Sequence, residues 1–249
     1  MIQGLTISNW LNDYIENANL KAFVVGISGG IDSALTSTLC SMTGKKTIVV
    51  SMPIYQNSKE LERANHHIKW LEEKYTNVEK IEVDLTETFE HFKNLFVSED
   101  SLALANSRSR LRMTTLYQIA SMETGLVAGT GNKVEDFGVG FFTKYGDGGV
   151  DISPIADLTK SEVRKLSKEL GIIQKIIDAP PTDGLWDDGR TDEQQLGATY
   201  TELEWAMEFD SNNVDFLLTE RQKEVLEIYN KFHNQNKHKM VQIPIFKKP

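Results

Sequence analysis

Residues 23–33 read FVVGISGGIDS. An apolar, β-branched run breaks into glycines, then into an Asp-Ser pair that opens a helical pattern. Glycines at such a junction let the backbone turn tightly and approach a ligand. The freed amides of the helix N-terminus supply donors and partial positive charge for an anion. Two common phosphate turns do not fit. A P-loop needs Gly-x-x-x-x-Gly-Lys-Ser/Thr, and no lysine stands here; Gly26, Gly29 and Gly30 do not have the Gly-x-Gly-x-x-Gly spacing of a dinucleotide turn. The hydroxyls of Ser28 and Ser33 add donors. Asp32 would repel a phosphate unless Mg²⁺ bridged the two, since Mg²⁺ commonly takes one or two carboxylates together with phosphate oxygens. Its alternative role is that of an ordinary acid in the first turn of a helix.

Outward from this turn, short β-branched runs predict strands near residues 22–27, 47–52, 80–83 and 126–129. Helical patterns lie between them at 32–42, 58–74, 85–95 and 102–124, and an amphipathic helix at 7–17 precedes the first strand. Strands alternating with helices of this length predict an α/β fold: a doubly wound, mostly parallel sheet with helices on both faces. Extra C-terminal helices are expected at 160–170, 193–208 and 220–236; "TKSE" and "TERQ" match the capping box at the first and last of these. Residues 129–151 are glycine-rich, and 179–192, APPTDGLWDDGRTD, carry too much Pro, Gly and Asp for regular structure. Loops of that length are usually functional or disordered.

The 249 residues, 40% hydrophobic and 25% charged, match soluble globular proteins and suffice for a substantial core. The single cysteine, Cys40, excludes an intramolecular disulfide and CxxC chemistry, and its helical neighbours Ala34, Leu35 and Leu39 predict a buried core thiol. The N-terminal stretch has no basic region followed by an apolar one, and no run approaches the ~20 apolar residues of a membrane span. A cytoplasmic protein without a membrane partner is expected. A net charge of −9 argues against a nucleic-acid binder, which normally carries a basic face.

SGGIDS resembles the SGGxDS signature of the ATP pyrophosphatases, which split ATP between its α- and β-phosphates and hold the leaving pyrophosphate on this loop. The long block at 129–163, with its core GFFTKYGDGGVD, is similar to the signature block of the ammonia-dependent NAD synthetases. That resemblance spans nearly the whole chain. It implies an adenine nucleotide α-hydrolase-like fold in one domain over 1–249, with ATP as co-substrate and Mg²⁺ as cofactor. Deamido-NAD and ammonia are the other implied substrates, and a homodimer the implied assembly.

Carried onto this sequence, the resemblance makes Asp32 and Glu135 the Mg²⁺ ligands. It implies ATP contacts from Gly26, Ile27, Ser28, Gly29, Gly30, Ile31, Asp32, Ser33, Thr130, Lys160 and Thr182, with adenine received by the backbone at residues 51–53. Arg110, Lys144, Asp151, His238 and Lys239 would bind the nicotinate dinucleotide. Asp32 and Lys160 would carry the catalysis. Lys160 breaks a local rule on its own account, because a cation in the first turn of a capped helix opposes the macrodipole; a nearby anion would offset that. The chain departs from the family pattern at "DFGV", four residues between Glu135 and Gly140 where many members have three, which leaves Asp136 as the alternative ligand. Met240 stands where a basic residue is common.

Arg108 and Arg112 share a helix face, read as surface charge or ion pairs, while Arg110 points away with Asn106. His66, His67, His91 and His233 have no companions at metal-ligand spacing and read as helix-surface residues. Trp70, Trp186 and Trp205 read as packing residues, and 179–192 as a lid over the site. The absence of a catalytic cysteine in a domain of its own implies that ammonia is the nitrogen donor, unless another subunit delivers it. Two other readings stay open: another adenylating enzyme of the superfamily, for example one acting on xanthosine monophosphate, or a nucleotide sensor without turnover.

Overall fold

The computed structural model describes residues 2–97, 100–182, 191–209 and 217–248. Its sheet has the order β3-β2-β1-β4, with β1 Ala22–Gly26, β2 Lys46–Ser51, β3 Val78–Glu82 and β4 Gly125–Val127. Every pairing is parallel; Val24 stands opposite Ile48 on one side and Val127 on the other. The apolar run of β1 follows from burial on both faces. Phe23 and Val25 pack with Leu11 and Ile15 of α1 (Ile2–Asn17) and with Leu35 and Leu39 of α2 (Ile31–Met42). Ala22 and Val24 point the other way, onto Met113, Leu116 and Ile119 of α5 (Ser101–Met122). Helices α3 (Ser58–Lys74) and α6 (Lys160–Leu170) complete the first face, and α4 (Thr86–Lys93) the second. The doubly wound α/β architecture is thus the one expected.

The chain lays β1, β2 and β3 outward in one direction, then returns to place β4 on the free side of β1. This reversal creates a switch point beyond the carboxyl ends of β1 and β4, where open α/β sheets bind ligands. The SGGIDS turn leaves β1 there. A third core cluster joins Val134 and Val139 to Tyr200 and Leu203 of α9 (Tyr200–Glu208) and Val225 of α10 (Glu220–Met240), so the C-terminal helices buttress the segment after β4.

Several boundaries differ from the sequence reading. The third strand begins at Val78, two residues before the expected start, and the fourth ends at Val127. The expected helix at 193–208 is two helices, α8 (Asp192–Leu196) and α9, separated by Gly197 at φ +79°. Apolar spacing continues across the break, but "TDEQ" and "TYTE" are capping boxes and both form, at Thr191 and Thr199. A short α7 (Gln174–Ile177) was not expected, and residues Val134–Val139 form a π-helix where a loop was read.

Cys40 is fully buried, as expected, and burial pushes its thiol pKa up. His67 is a correction: it is fully buried rather than on the helix surface, with Nε2 3.0 Å from Ser37 Oγ and its ring stacked on Trp70. His233 is half-buried, its Nδ1 2.7 Å from Gly138 O, while His66 and His91 are exposed. Trp70 and Trp205 pack against core clusters, and Trp186 lies outside the described residues. Among the described residues no helix is long and apolar enough to cross a membrane.

Candidate active site

Gly29 has φ +85°, and a Cβ there would lie 2.5 Å from Glu60 O of α3, so only glycine fits. The turn's polar groups satisfy one another. Ser28 and Ser33 hydroxyls are 3.1 Å apart, Gly30 N–H donates to Ser28 Oγ at 3.2 Å, and Ser33 Oγ donates to Gly30 O at 3.0 Å. Gly30 caps α2 without a side-chain oxygen, so the first-turn amides have no side-chain cap competing with an anion. The turn opens into a cavity of about 550 Å³.

Four chain segments meet on its floor. Lys160, the first residue of α6, is 2% exposed; its Nζ lies 2.5 Å from Asp32 Oδ2 and 3.0 Å from Glu135 Oε1. Buried Asn132, just after β4, donates from Nδ2 to Asp32 Oδ1 at 3.1 Å. Its Oδ1 accepts the N–H groups of Val134 and Glu135 at 3.1 and 3.2 Å, which starts the π-helix. The Tyr200 hydroxyl donates to Glu135 Oε1 and lies 3.2 Å from Asp192 Oδ2.

Burial alone would lower the Lys160 pKa, but the Asp32 and Glu135 carboxylates outweigh it and hold the ammonium above its ordinary value. Burial raises Asp32; Glu135, despite its own burial, is held low by Lys160 and the Tyr200 hydroxyl. Two carboxylates share one ammonium, so the ionised cluster retains one uncompensated negative charge. Asp136 also lines the cavity, but makes no bond to Lys160; burial and then its acidic neighbours push it up to about 8. The extra residue of "DFGV" is taken up by the wide π turn, closed by Gly140 N–H donating to Glu135 O. Gly140, at φ +63°, packs where a Cβ would collide with Asn236, and Asn236 Nδ2 donates to Val139 O at 2.8 Å. Helix α10 thereby fixes the turn that aims Glu135.

A family model described as NAD synthase matches residues 5–243. The chain belongs to the NAD synthase family. The NH(3)-dependent NAD(+) synthetase of Carboxydothermus hydrogenoformans is 39% identical over 238 residues, covering 93% of this chain and 91% of that one. Among solved structures, NMN synthetase from Francisella tularensis is similar with a TM-score of 0.85 and 32% identity, over 99% of this chain and 97% of that one. NH3-dependent NAD synthetase from Campylobacter jejuni, solved with nitrate, has a TM-score of 0.80 at 25% identity, over 98% of both chains. The sheet and its covering helices are those of the adenine nucleotide α-hydrolase-like fold shared by the NAD synthase relatives.

Within this NAD synthase chain, Gly26, Ile27, Ser28, Gly30, Ile31, Asp32, Ser33, Thr130, Glu135, Lys160 and Thr182 line the cavity; Gly29 faces α3 instead. Thr182 Oγ1 donates to Glu60 Oε1 at 3.0 Å. Of the expected dinucleotide contacts, only Lys239 lies in the wall, its Nζ donating to Phe142 O at 2.7 Å. Arg110 Nε donates to Lys144 O at 3.2 Å and Lys144 Nζ to His238 O at 2.9 Å, which ties α5, the loop at 141–149 and the end of α10 together outside the wall. Asp151 accepts from Val127 N–H at 2.8 Å and from the Tyr117 hydroxyl at 2.9 Å, at the end of β4. Residues 183–190 of the expected lid lie outside the described residues.

Arg112 is a correction to the surface reading. It lines the cavity, and burial lowers its pKa to about 10. Its Nε donates to Met52 O at 3.1 Å and its Nη2 to Gln56 Oε1 at 3.3 Å, at the backbone where adenine was expected. Asn132, Asp192 and Tyr200 were not singled out in the sequence. Asn132 stands in the "GTGNK" of the signature block, but a local pattern gives no sign of what Asp192 and Tyr200 touch.

Proposed function

We propose that this chain joins ammonia to deamido-NAD with cleavage of ATP, releasing NAD, AMP and pyrophosphate. The observation that carries the reading is Lys160 held between Asp32 and Glu135 at the mouth of the SGGIDS turn, in a chain of the NAD synthase family. A carboxylate oxygen of the nicotinate attacks the α-phosphorus of ATP, and the bond from that phosphorus to the bridging oxygen of the β-phosphate breaks. The pyrophosphate takes that electron pair, and the turn receives its charge through the Ser28 and Ser33 hydroxyls and the α2 amides. Ammonia then attacks the acyl carbon, the carbon–oxygen bond to AMP breaks, and nitrogen gives up a proton. The substrate carboxylate is the nucleophile, so no side chain need form a covalent intermediate. Positioning and charge neutralisation remain for the protein. Lys160, whose buried ammonium stands beside the turn, supplies neutralising charge to the phosphates.

The cluster suits Mg²⁺. Asp32 and Glu135 already converge on one cationic atom and keep a surplus negative charge. Mg²⁺ commonly takes one or two carboxylates together with phosphate oxygens and water, and two carboxylates are what these residues offer. Bound there, Mg²⁺ would supply Lewis-acid stabilisation of the phosphate charge. The turn from Gly26 to Ser33, in which Gly29 faces α3, contacts ATP together with Thr130, Lys160 and Thr182. Arg110, Lys144, Asp151, His238 and Lys239 receive the dinucleotide. The residues act as one NAD synthase domain, paired as a cytoplasmic homodimer; exposed Leu95, Phe96 and Leu102 near the start of α5 support a covered apolar face.

Purified protein given ATP, Mg²⁺, ammonium and deamido-NAD is expected to release AMP, pyrophosphate and NAD in equal amounts. Cleavage of ATP to ADP, or no NAD at saturating ammonium, would reject the reading. The likeness to NMN synthetase from Francisella tularensis favours one further possibility: the mononucleotide acid, which presents the same carboxylate, as the acceptor. Comparing kcat/KM for the two acceptors decides, and deamido-NAD is expected to be preferred.

A further inference from the structure

Glu135 Oε1 accepts from two donors, the Lys160 ammonium at 3.0 Å and the Tyr200 hydroxyl. Tyr200 is 1% exposed and sits in the cluster formed by the π-helix and α9. Were packing its whole task, its buried hydroxyl could have found any polar partner. Instead that hydroxyl stands between two carboxylates, Glu135 and, at 3.2 Å, Asp192 of α8. The Tyr200 ring lies 4.7 Å from Lys160 Nζ, over the same ammonium that Glu135 and Asp32 share. Its backbone is held independently of the sheet: Thr199 caps α9, and Tyr200 N–H donates to Glu193 Oε1 at 3.0 Å. One side chain therefore fixes a carboxylate oxygen and shelters the facing cation, with its hydroxyl oxygen lying against a third carboxylate, Asp192.

We propose that Tyr200, backed by Asp192, is a positioning residue that aims the Glu135 carboxylate so that Glu135 and Asp32 face one divalent-cation site. This deepens the reading above and rests on its metal assignment. The geometry is that of a donor behind a metal ligand: it touches the ligand, and its loss typically weakens metal affinity or activity about 10–100-fold.

Mn²⁺ binding with a non-hydrolysable α,β-methylene ATP, followed by electron paramagnetic resonance, tests this without turnover. Tyr200→Phe keeps the ring over Lys160 and removes only the hydroxyl. It is expected to raise the Mn²⁺ concentration at half-saturation about 10-fold, with KM for deamido-NAD unchanged. Asp192→Asn is expected to give a smaller rise in the same direction. A folded Tyr200→Phe protein with wild-type Mn²⁺ binding overturns the proposal; should that variant fail to fold, wild-type Mn²⁺ binding by Asp192→Asn overturns it. Glu135→Gln separates the two levels. If it retains Mn²⁺ binding, the metal assignment and the positioning role both fall; if it loses binding while Tyr200→Phe keeps it, only the positioning role falls.

Discussion

Lys160 Nζ lies 2.5 Å from Asp32 Oδ2, although 128 residues separate them in the chain. Each side chain stands in the first turn of its own helix, α6 and α2. Asp32 is favoured there by the helix dipole and Lys160 is not. The contact offsets the unfavourable placement of Lys160 and joins the glycine turn after β1 to the segment after β4.

Removing the cation should lower both stability and turnover. Lys160→Met leaves Asp32 and Glu135 buried and facing each other, and breaking such a pair costs about 3–5 kcal/mol. Urea unfolding at neutral pH should show this loss, with partial recovery at lower pH as one carboxylate protonates. Turnover should fall about 10²–10³-fold, even with Mg²⁺ and ATP saturating. Wild-type activity would remove Lys160 from the chemistry.

Asp32→Ala should abolish adenylation and leave the fold intact, because Lys160 keeps Glu135 as a partner. Exchange of labelled pyrophosphate into ATP, in the presence of deamido-NAD, measures the first step alone. Exchange at the wild-type rate would exclude Asp32 from the metal site.

Gly29→Ala should lose both stability and ATP binding. A side chain at φ +85° is strained, typically by about 1–3 kcal/mol, and its Cβ would press on the Glu60 carbonyl of α3. Thermal unfolding and ATP titration should both shift. Gly44→Ala, at φ +76° with open space around it, controls for backbone strain away from the site.

His67 gives the fold an acid-sensitive point. Burial lowers its folded pKa to about 4 from an ordinary 6.5. The unfolded chain therefore binds the extra proton first as pH falls. The contribution is full above about pH 6.5 and is lost on descent towards pH 4, by about 3 kcal/mol in all. The urea midpoint should drop between pH 7.5 and 5, and His67→Gln should flatten that slope. An unchanged slope in the variant would place the sensitivity elsewhere, among the carboxylates.

The glycine turn and the alternation of strands and helices were legible because they rest on local physics. Residues 23–33 contain their whole argument: an apolar run, glycines where the backbone must turn, and a helix start. The capping boxes at Thr159 and Thr219 formed as read, since a cap involves only its own turn. Those at Thr191 and Thr199 were equally legible, yet the apolar spacing across Gly197 concealed the break between α8 and α9.

Local pattern alone was enough for a parallel sheet with a glycine turn and a helix start at the end of its first strand. Only the tertiary structure decided how that turn is armed. Nothing near Lys160 in the chain shows that its ammonium is buried between two carboxylates, or that Tyr200 reaches Glu135 from a C-terminal helix. His67, read as a surface residue, is buried, and Arg112 lines the cavity, for the same reason. Burial and ion pairing arise from segments brought together across the switch point, and the energy of such contacts depends on distance in space, which periodicity along one helix does not encode.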